Sequence, residues 1–288
     1  MQQRTIGDRT VSAIGLGGMP LSIEGRPDDR GRCLATVHAA LDAGVTLIDT
    51  ADAYHLDSSD VGHNETLVAE ALATYGGDVS DVLVATKGGH TRPGGGDWDI
   101  DGSSEHLRAA CDASLKRLGV EAIGLYQHHR PDPTVPYADS IGALAELLDA
   151  GKIRMAGISN ADPDQIRQAQ EVLGGRLVSV QNQFSPAFRS SEPELRLCAE
   201  MGIAFLPWSP LGGIGTAAEL GSSHTALAEV AAERGVSPQR VTLAWMLALS
   251  PVVVPIPGSS RPETARDSAA AADLELTADE VSRLSATG

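Results

Sequence analysis

Short apolar runs rich in β-branched residues alternate with longer amphipathic runs along most of the chain. The short runs lack strict alternation of apolar and polar positions, which is typical of parallel strands covered on both faces. The pattern predicts eight strands: Val11–Gly17, Thr46–Asp49, Val82–Thr86, Ile123–His129, Ile153–Gly157, Val178–Gln181, Ile203–Pro207 and Val252–Ile256.

The longer runs between these strands predict helices, and many of them stop at a glycine such as Gly44, Gly119 or Gly202. The predicted helices are Arg32–Ala43, Glu65–Tyr75, Ser104–Leu118, Tyr137–Ala150, Pro163–Leu173, Glu194–Met201, Thr225–Arg234, Pro238–Ala248 and Pro262–Ala272. Eight β–α units in about 250 residues favour an α/β fold, a closed (β/α)8 TIM barrel, with residues 1–288 as a single domain.

An open, doubly wound sheet is the competing fold. It calls for a G-x-G-x-x-G loop after the first strand, whereas the sequence there is GLGGMPLS, which lacks the third glycine. Residues 4–12 predict an N-terminal β-hairpin that turns at Gly7-Asp8 and covers the barrel floor. The glycine-rich segment His90–Gly102 is interpreted as a long loop with a role in substrate binding.

Composition narrows the possible partners. The net charge of −16 disfavours nucleic acid and anionic membranes, and no apolar stretch approaches the roughly 18 residues of a membrane span. The N-terminus lacks the apolar region of a secretion signal, and three widely spaced cysteines make neither a disulfide framework nor a metal site. A cytoplasmic location is therefore expected; the oligomeric state is left open.

Polar residues lie where the predicted strands end, which is where barrel enzymes place their chemistry. The ends of the second, third and fourth strands supply Asp49, Lys87 and His129, and Tyr54 follows Asp49 by five residues. A lysine ammonium favours the phenolate of a nearby tyrosine, a carboxylate holds the lysine, and a histidine orients a carbonyl oxygen. Such a group is able to protonate a developing alkoxide and needs a hydride donor.

Asp49, Tyr54, Lys87 and His129 lie in sequence motifs that resemble those of a known family. The motifs LIDTADAY, VLVATKGG, LYQHHRPDP, AGISN, SVQNQFSP and PIPGSS, in this order, resemble those of the aldo-keto reductase superfamily over essentially the whole chain. The resemblance implies a (β/α)8 barrel and reduction of aldehydes or ketones with NADPH, NADH being possible. It also implies a catalytic tetrad of Asp49, Tyr54, Lys87 and His129, with Tyr54 as the proton donor.

The same resemblance implies a cofactor site. Its residues would be Gly18, Met19, Asp49, Ser159, Asn160, Gln181, Trp208, Ser209, Pro210, Leu211, Gly212, Gly258, Ser259, Ser260, Arg261, Thr264, Asp267 and Ser268. Among them, Ser159, Asn160 and Gln181 would meet the nicotinamide carboxamide and Trp208 its ring. The segment from Gly258 to Arg261, at the start of a helix, is itself a suitable anion site and would meet the 2′-phosphate.

Three residues are candidates for the substrate pocket. Trp98 lies in the glycine-rich segment, His55 follows Tyr54, and Phe184 lies in QFSPAF. His128 and His129 are adjacent on a strand, so their side chains point to opposite faces and only His129 is expected at the barrel mouth.

Two other function classes are compatible with a barrel of this composition. A metal-dependent hydrolase needs inward-facing histidines at strand ends, a geometry that adjacent His128 and His129 do not supply, so no metal is predicted. A nicotinamide-nucleotide-binding regulatory barrel without turnover is the stronger alternative. It would be indicated by loss of a tetrad residue, and none is lost.

Overall fold

The computed structural model describes residues 1–94 and 96–286. Its strands are β1 (Gln3–Ile6), β2 (Arg9–Ser12), β3 (Leu16–Gly17), β4 (Leu47–Asp49), β5 (Leu83–Gly88), β6 (His90–Gly94), β7 (Asp97–Ile100), β8 (Ile123–His128), β9 (Ile153–Ser159), β10 (Leu177–Gln181) and β11 (Ala204–Phe205). Seven of them form one parallel sheet in the order β3-β4-β5-β8-β9-β10-β11. This succession, with helices between strands, is the (β/α)8 barrel that the sequence predicts.

Helices follow the predicted positions closely. They are α1 (Arg30–Asp42), α2 (His63–Thr74), α3 (Ser104–Leu118), α4 (Tyr137–Asp149), α5 (Pro163–Val172), α6 (Glu192–Met201), α7 (Leu220–Ser223), α8 (Thr225–Arg234), α9 (Pro238–Leu249), α10 (Pro262–Ala269) and α11 (Ala278–Ser285). None of the helices in the described ranges is long and apolar enough to cross a membrane.

The eighth strand predicted for the barrel wall, Val252–Ile256, is not a regular strand in the structure. Residues 252–258 bridge β11 and β3 without forming a regular strand, through isolated bridges such as Phe205 with Val253 and Gly17 with Gly258. Amides of Gly15 and Gly17 donate to the carbonyls of Pro255 and Pro257 at 2.9 Å each. The two prolines have no N–H to donate back toward β3, so half of the ladder on that side is missing.

The predicted first strand is also divided. Val11 and Ser12 pair with β1 in the N-terminal hairpin, so the chain leaves the hairpin before it enters the barrel as β3. The hairpin turns at Gly7-Asp8 as predicted, and its Ile6 and Val11 are buried among interior residues of the barrel wall. The hairpin therefore closes the N-terminal end of the barrel.

Two segments have more structure than the sequence analysis predicts. Part of the glycine-rich segment forms an antiparallel hairpin, β6–β7, in which His90 pairs with Ile100; Gly95 lies outside the described residues. Near the C-terminus, α10 ends at Ala269, and a further helix, α11, begins after Thr277. Thr277 and Glu280 form a capping box there, a signal that is visible in the sequence.

Candidate active site

Alternate residues of the central strands point into the barrel and build the floor of a site. On β5, Leu83 and Ala85 belong to the apolar interior layer, and Lys87 follows in the same phase. The same period carries β8 from Leu125 through Gln127 to His129, which lies just past the strand end. Polar side chains thus lie above an apolar layer, toward the carboxyl ends of the strands.

Lys87 is the centre of this polar group. Its side chain is fully buried, and Nζ lies 2.6 Å from Asp49 Oδ2. The ammonium also donates to the Thr50 carbonyl at 2.9 Å and to Tyr54 Oη at 3.0 Å. One cation thus joins a carboxylate to a phenol, as the sequence-based chemistry requires.

Burial and charge act in opposite directions on this group. Burial alone would lower the pKa of Lys87, but Asp49 and Tyr54 together raise it, so Lys87 is charged. Burial raises the pKa of Tyr54 above its ordinary value, and the charge of Lys87 only partly opposes that increase. Lys87 thus acts in the predicted direction, but burial has the larger effect, so the phenol stays protonated at neutral pH and has a proton to give.

His129 stands beside Tyr54 at the mouth of the barrel. The two rings meet edge to face with centroids 5.8 Å apart, and His129 is 7% exposed. Burial holds the pKa of His129 well below its ordinary range, with a smaller contribution from Lys87. The imidazole is therefore neutral and carries one N–H. His128 faces away from the mouth and is fully buried near the ring of Tyr137.

Sequence reasoning missed Gln127. Its Nε2 lies 3.4 Å from Asp49 Oδ1, and Gln181 Nε2 donates to the same oxygen at 2.8 Å. Both oxygens of Asp49 are therefore engaged inside the barrel. The signal was available, since Gln127 has the same strand phase as His129 two residues later.

The neighbouring strand ends hold a second set of polar groups. Asn160 donates to the His129 carbonyl at 3.0 Å and accepts from Trp208 Nε1 at 3.2 Å, while Ser159 Oγ donates to the Gln181 carbonyl at 2.7 Å. Asn160 and Ser209 adopt positive φ values of 57° and 48°, an uncommon conformation that clusters at functional sites.

Glycines allow close approach of the backbone at the first and eighth wall positions. A Cβ on Gly17 would lie 2.8 Å from the Ile256 carbonyl, and one on Gly258 would lie 2.7 Å from Pro20. A Cβ on Gly18 would meet Asn64 Oδ1 at 2.5 Å. Larger residues would push these segments apart at the rim of the site.

The segment from Gly258 to Arg261 opens α10 as predicted. Arg261 is the N-cap residue and makes no side-chain cap, so amides of the first turn face outward without that partner. Ser259 Oγ donates to the Arg261 carbonyl at 2.9 Å and contacts Thr264 Oγ1. Asp267, in contrast, is paired with Arg240 at 2.6 Å.

One cavity of about 670 Å³ connects the two halves of this region. The predicted residues that line it are Met19, Asp49, Tyr54, Trp98, His129, Ser159, Asn160, Gln181, Trp208, Ser209, Pro210, Leu211, Gly258, Ser259, Ser260, Arg261, Thr264, Asp267 and Ser268. Lys87 lies beneath the surface of the cavity, and neighbours of Gly18 and Gly212 line it in their place.

Two pocket predictions are wrong. Phe184 is fully buried in the hydrophobic core, where its ring lies parallel to that of Trp245 and edge-on to that of Phe205. His55 is 2% exposed, and its Nδ1 lies 2.6 Å from the Asp57 carbonyl, so its ring is used by its own loop.

Trp98 does line the cavity, and it is held there by contacts with His90 and Arg92 that the sequence does not predict. Its indole lies against His90, with centroids 4.7 Å apart, and the Arg92 guanidinium lies 4.5 Å over the ring. The Arg92 side chain is buried and binds Glu24 and the His55 carbonyl. Arg92 thereby fastens the β6–β7 hairpin to two neighbouring loops.

Comparison with known proteins gives a consistent picture. The model of the aldo/keto reductase family matches residues 13–287. An uncharacterised oxidoreductase of Schizosaccharomyces pombe is 36% identical over 286 residues, 98% of this chain and 89% of the relative. The 6-dehydroglucose reductase of Novosphingobium aromaticivorans is 36% identical over 261 residues, which are 87% of this chain and 83% of the relative.

Solved structures are similar as well. An aldo/keto reductase of Klebsiella pneumoniae, crystallised with NADP and acetate, superposes with a TM-score of 0.81 at 26% identity. The alignment covers 98% of this chain and 93% of that one.

Proposed function

Because the chain belongs to the aldo/keto reductase family, we propose that it reduces an aldehyde or ketone to an alcohol with NADPH, Tyr54 giving the proton. The observation that carries the proposal is the contact between Tyr54 Oη and Lys87 Nζ, 3.0 Å apart, at the floor of the cavity. A protonated phenol beside a fixed cation is an acid whose conjugate base is stabilised as it forms.

Each residue has a defined task in this chemistry. A substrate carbonyl in the cavity accepts a hydrogen bond from Tyr54 Oη, and neutral His129 is a second donor at the same mouth. As negative charge develops on the carbonyl oxygen, the phenol proton moves to it. Lys87, kept charged by Asp49, stabilises the phenolate left behind.

The cavity fits a dinucleotide cofactor. Its volume lies in the range of cofactor sites, it runs past Asn160 and Trp208, and it reaches the N-terminus of α10. NADPH, when bound, supplies the hydride. Arg261 and the uncapped amides of α10 would hold its 2′-phosphate, since a helix N-terminus and a guanidinium both favour a phosphate. We further propose a preference for NADPH over NADH.

The test is a panel of aldehydes, ketones and sugars, followed by nicotinamide absorbance with NADPH and NADH in parallel. Tyr54→Phe should keep cofactor binding and lower turnover by about 10²–10⁴-fold, the range for loss of a general acid. Tyr137→Phe is the matched control, because the Tyr137 hydroxyl is buried without a partner in the described part of the chain.

Two outcomes would overturn the proposal. Near-normal reduction by Tyr54→Phe would remove the tyrosine from the mechanism. If NADPH binds tightly but no carbonyl compound of the panel is reduced, the nucleotide-binding regulatory barrel would be favoured.

A further inference from the structure

Arg130 directly follows His129 at the end of β8 and lines the cavity on the same side. Its side chain makes no ion pair or hydrogen bond within residues 1–94 and 96–286, and its Nε is buried without a partner. A guanidinium has five N–H donors, and leaving them unpaired beside a cavity is costly unless water or a ligand takes them.

Most arginines of the protein have an acidic partner, and among the residues that the structure describes Arg130 does not. Acidic residues exceed basic ones by 16, and many arginines are paired with carboxylates, such as Arg92 with Glu24 and Arg117 with Glu65. The carboxylates that line the cavity are already used: Asp49 by Lys87 and Asp267 by Arg240. No carboxylate on the cavity wall is therefore left to neutralise Arg130.

The barrel topology separates Arg130 from the other unpaired arginine on the cavity wall. Arg261 follows the eighth wall position and belongs to the nucleotide end. Arg130 follows β8, the fourth position in the order of the sheet. Fourth and eighth positions are opposite in a closed barrel of eight. One guanidinium is thus assigned to the cofactor phosphate, and the other faces the substrate side with His129 and Trp98.

The titratable neighbours of Arg130 on the cavity wall are histidines; Asp99, whose charge acts on the pKa of His90, is exposed and does not line the cavity. Burial lowers the pKa of His90 to about 4, and the charge of Arg130 contributes to that lowering. Burial likewise lowers the pKa of His129, with a smaller contribution from Arg130. Within the described part of the cavity wall, two neutral histidines, the Trp98 indole and the unpaired Arg130 guanidinium therefore lie together on the proposed substrate side. The missing counter-charge is an anion.

We propose that Arg130 binds an anionic group of the carbonyl substrate, a carboxylate or a phosphate, and so selects anionic aldehydes or ketones over neutral ones. The planar fork of the guanidinium suits either group bidentately. This inference rests on the proposed carbonyl reduction and names the substrate class that the reduction would serve.

The experiment compares matched pairs of substrates. Butanal with succinic semialdehyde tests the carboxylate, and glyceraldehyde with glyceraldehyde 3-phosphate tests the phosphate. Arg130→Met should lower kcat/KM for the preferred anionic substrate by about 10–100-fold and change the neutral partner by less than about threefold. Arg130→Lys should retain part of the preference, because it keeps the charge but not the fork.

Arg154→Met is the control, since Arg154 is exposed on β9 and outside the cavity; it should leave both members of each pair unchanged. Equal kcat/KM losses for anionic and neutral substrates in Arg130→Met, or no loss for either, would overturn the inference. The pair with the larger loss identifies carboxylate or phosphate.

A binding measurement separates this inference from the proposed reaction. Succinate, inorganic phosphate and neutral butyramide are titrated into wild type and Arg130→Met, both saturated with NADP⁺ so that the proposed phosphate site at Arg261 is filled, with tryptophan fluorescence as the readout and Trp98 as the nearby reporter. Anion binding that is lost in Arg130→Met supports the site even if no aldehyde is reduced. Failure of both the anionic and the neutral aldehydes to react would count against the proposed function, whereas equal anion binding by both proteins would count against Arg130.

Discussion

The Asp49–Lys87 pair makes a quantitative prediction about stability. Lys87 is fully buried, and its three contacts are the Asp49 carboxylate, the Thr50 carbonyl and the Tyr54 hydroxyl. Asp49→Asn keeps the shape of the side chain and removes its charge. The ammonium is then left in the barrel with neutral partners only.

The expected cost follows from the geometry of the pair. Removing one member of a buried ion pair typically costs about 3–5 kcal/mol, against a total stability of about 5–15 kcal/mol for a domain. Lys87→Met alone should cost a similar amount, because it leaves the Asp49 carboxylate with only the amides of Gln127 and Gln181. The double variant removes both charges and should be less destabilised than the sum of the two single variants.

Urea unfolding at pH 7 measures all four proteins, with the slope m compared to verify that the unfolding transition is unchanged. The raised pKa of Lys87 in the folded state fixes the pH dependence. The stabilisation from Lys87 is present in full below its unfolded pKa of about 10.4 and is lost as the pH rises through the higher folded value. In Asp49→Asn, burial is no longer opposed by the Asp49 charge and lowers the pKa of Lys87, so the deficit should be no larger at pH 8 than at pH 6. A cost below 1 kcal/mol, or strict additivity in the double variant, would refute this account.

Three further predictions concern the cavity. His129→Ala should lower kcat/KM for carbonyl substrates strongly, whereas His128→Ala should reduce the urea midpoint and leave turnover per folded molecule nearly unchanged; the opposite ranking would contradict the strand phase. Arg261→Ala should weaken NADPH binding by roughly 1.5–3 kcal/mol and leave NADH almost unaffected, as measured by dissociation constants from tryptophan fluorescence, and equal losses would show that Arg261 does not contact the 2′-phosphate. Arg92→Met should remove the contact that holds Trp98 at the cavity and raise KM for the carbonyl substrate, with little change in the affinity for NADPH. An unchanged KM would mean that Trp98 does not contact the substrate.

Much of the barrel could be predicted because its signals are local. Glycines such as Gly119 and Gly202 end helices in the left-handed conformation, and α3 and α8 begin and end at the predicted residues. The proximity of Asp49, Lys87 and His129 could be predicted because strand ends converge in a barrel, so positions far apart in sequence meet by topology alone.

The errors have a common cause, since each depends on long-range contacts. Phe184 lies in a loop by its sequence, but the direction of its ring is set by Trp245 and Phe205 from distant elements. The burial of the Tyr54 phenol, which raises its pKa, likewise depends on the whole fold and could not be predicted from spacing. Gln127 could have been predicted to face the barrel interior from its strand phase, but its hydrogen bond to Asp49 on another strand could not.

The bridging segment 252–258 has a consequence for the dynamics of the barrel. Pro255 and Pro257 have no amide hydrogens to donate, so segment 252–258 is joined to β3 by fewer hydrogen bonds than join β8 to β9. Local opening of the barrel should therefore begin at this junction, which we call the seam. The amides of Gly15 and Gly17 would then exchange with deuterium sooner than those of the central strands. The seam continues directly into Gly258–Arg261, so a nucleotide bound there would fasten the two edges of the sheet together. If the nucleotide binds there as proposed, it should slow amide exchange in β3, on the opposite side of segment 252–258 from α10.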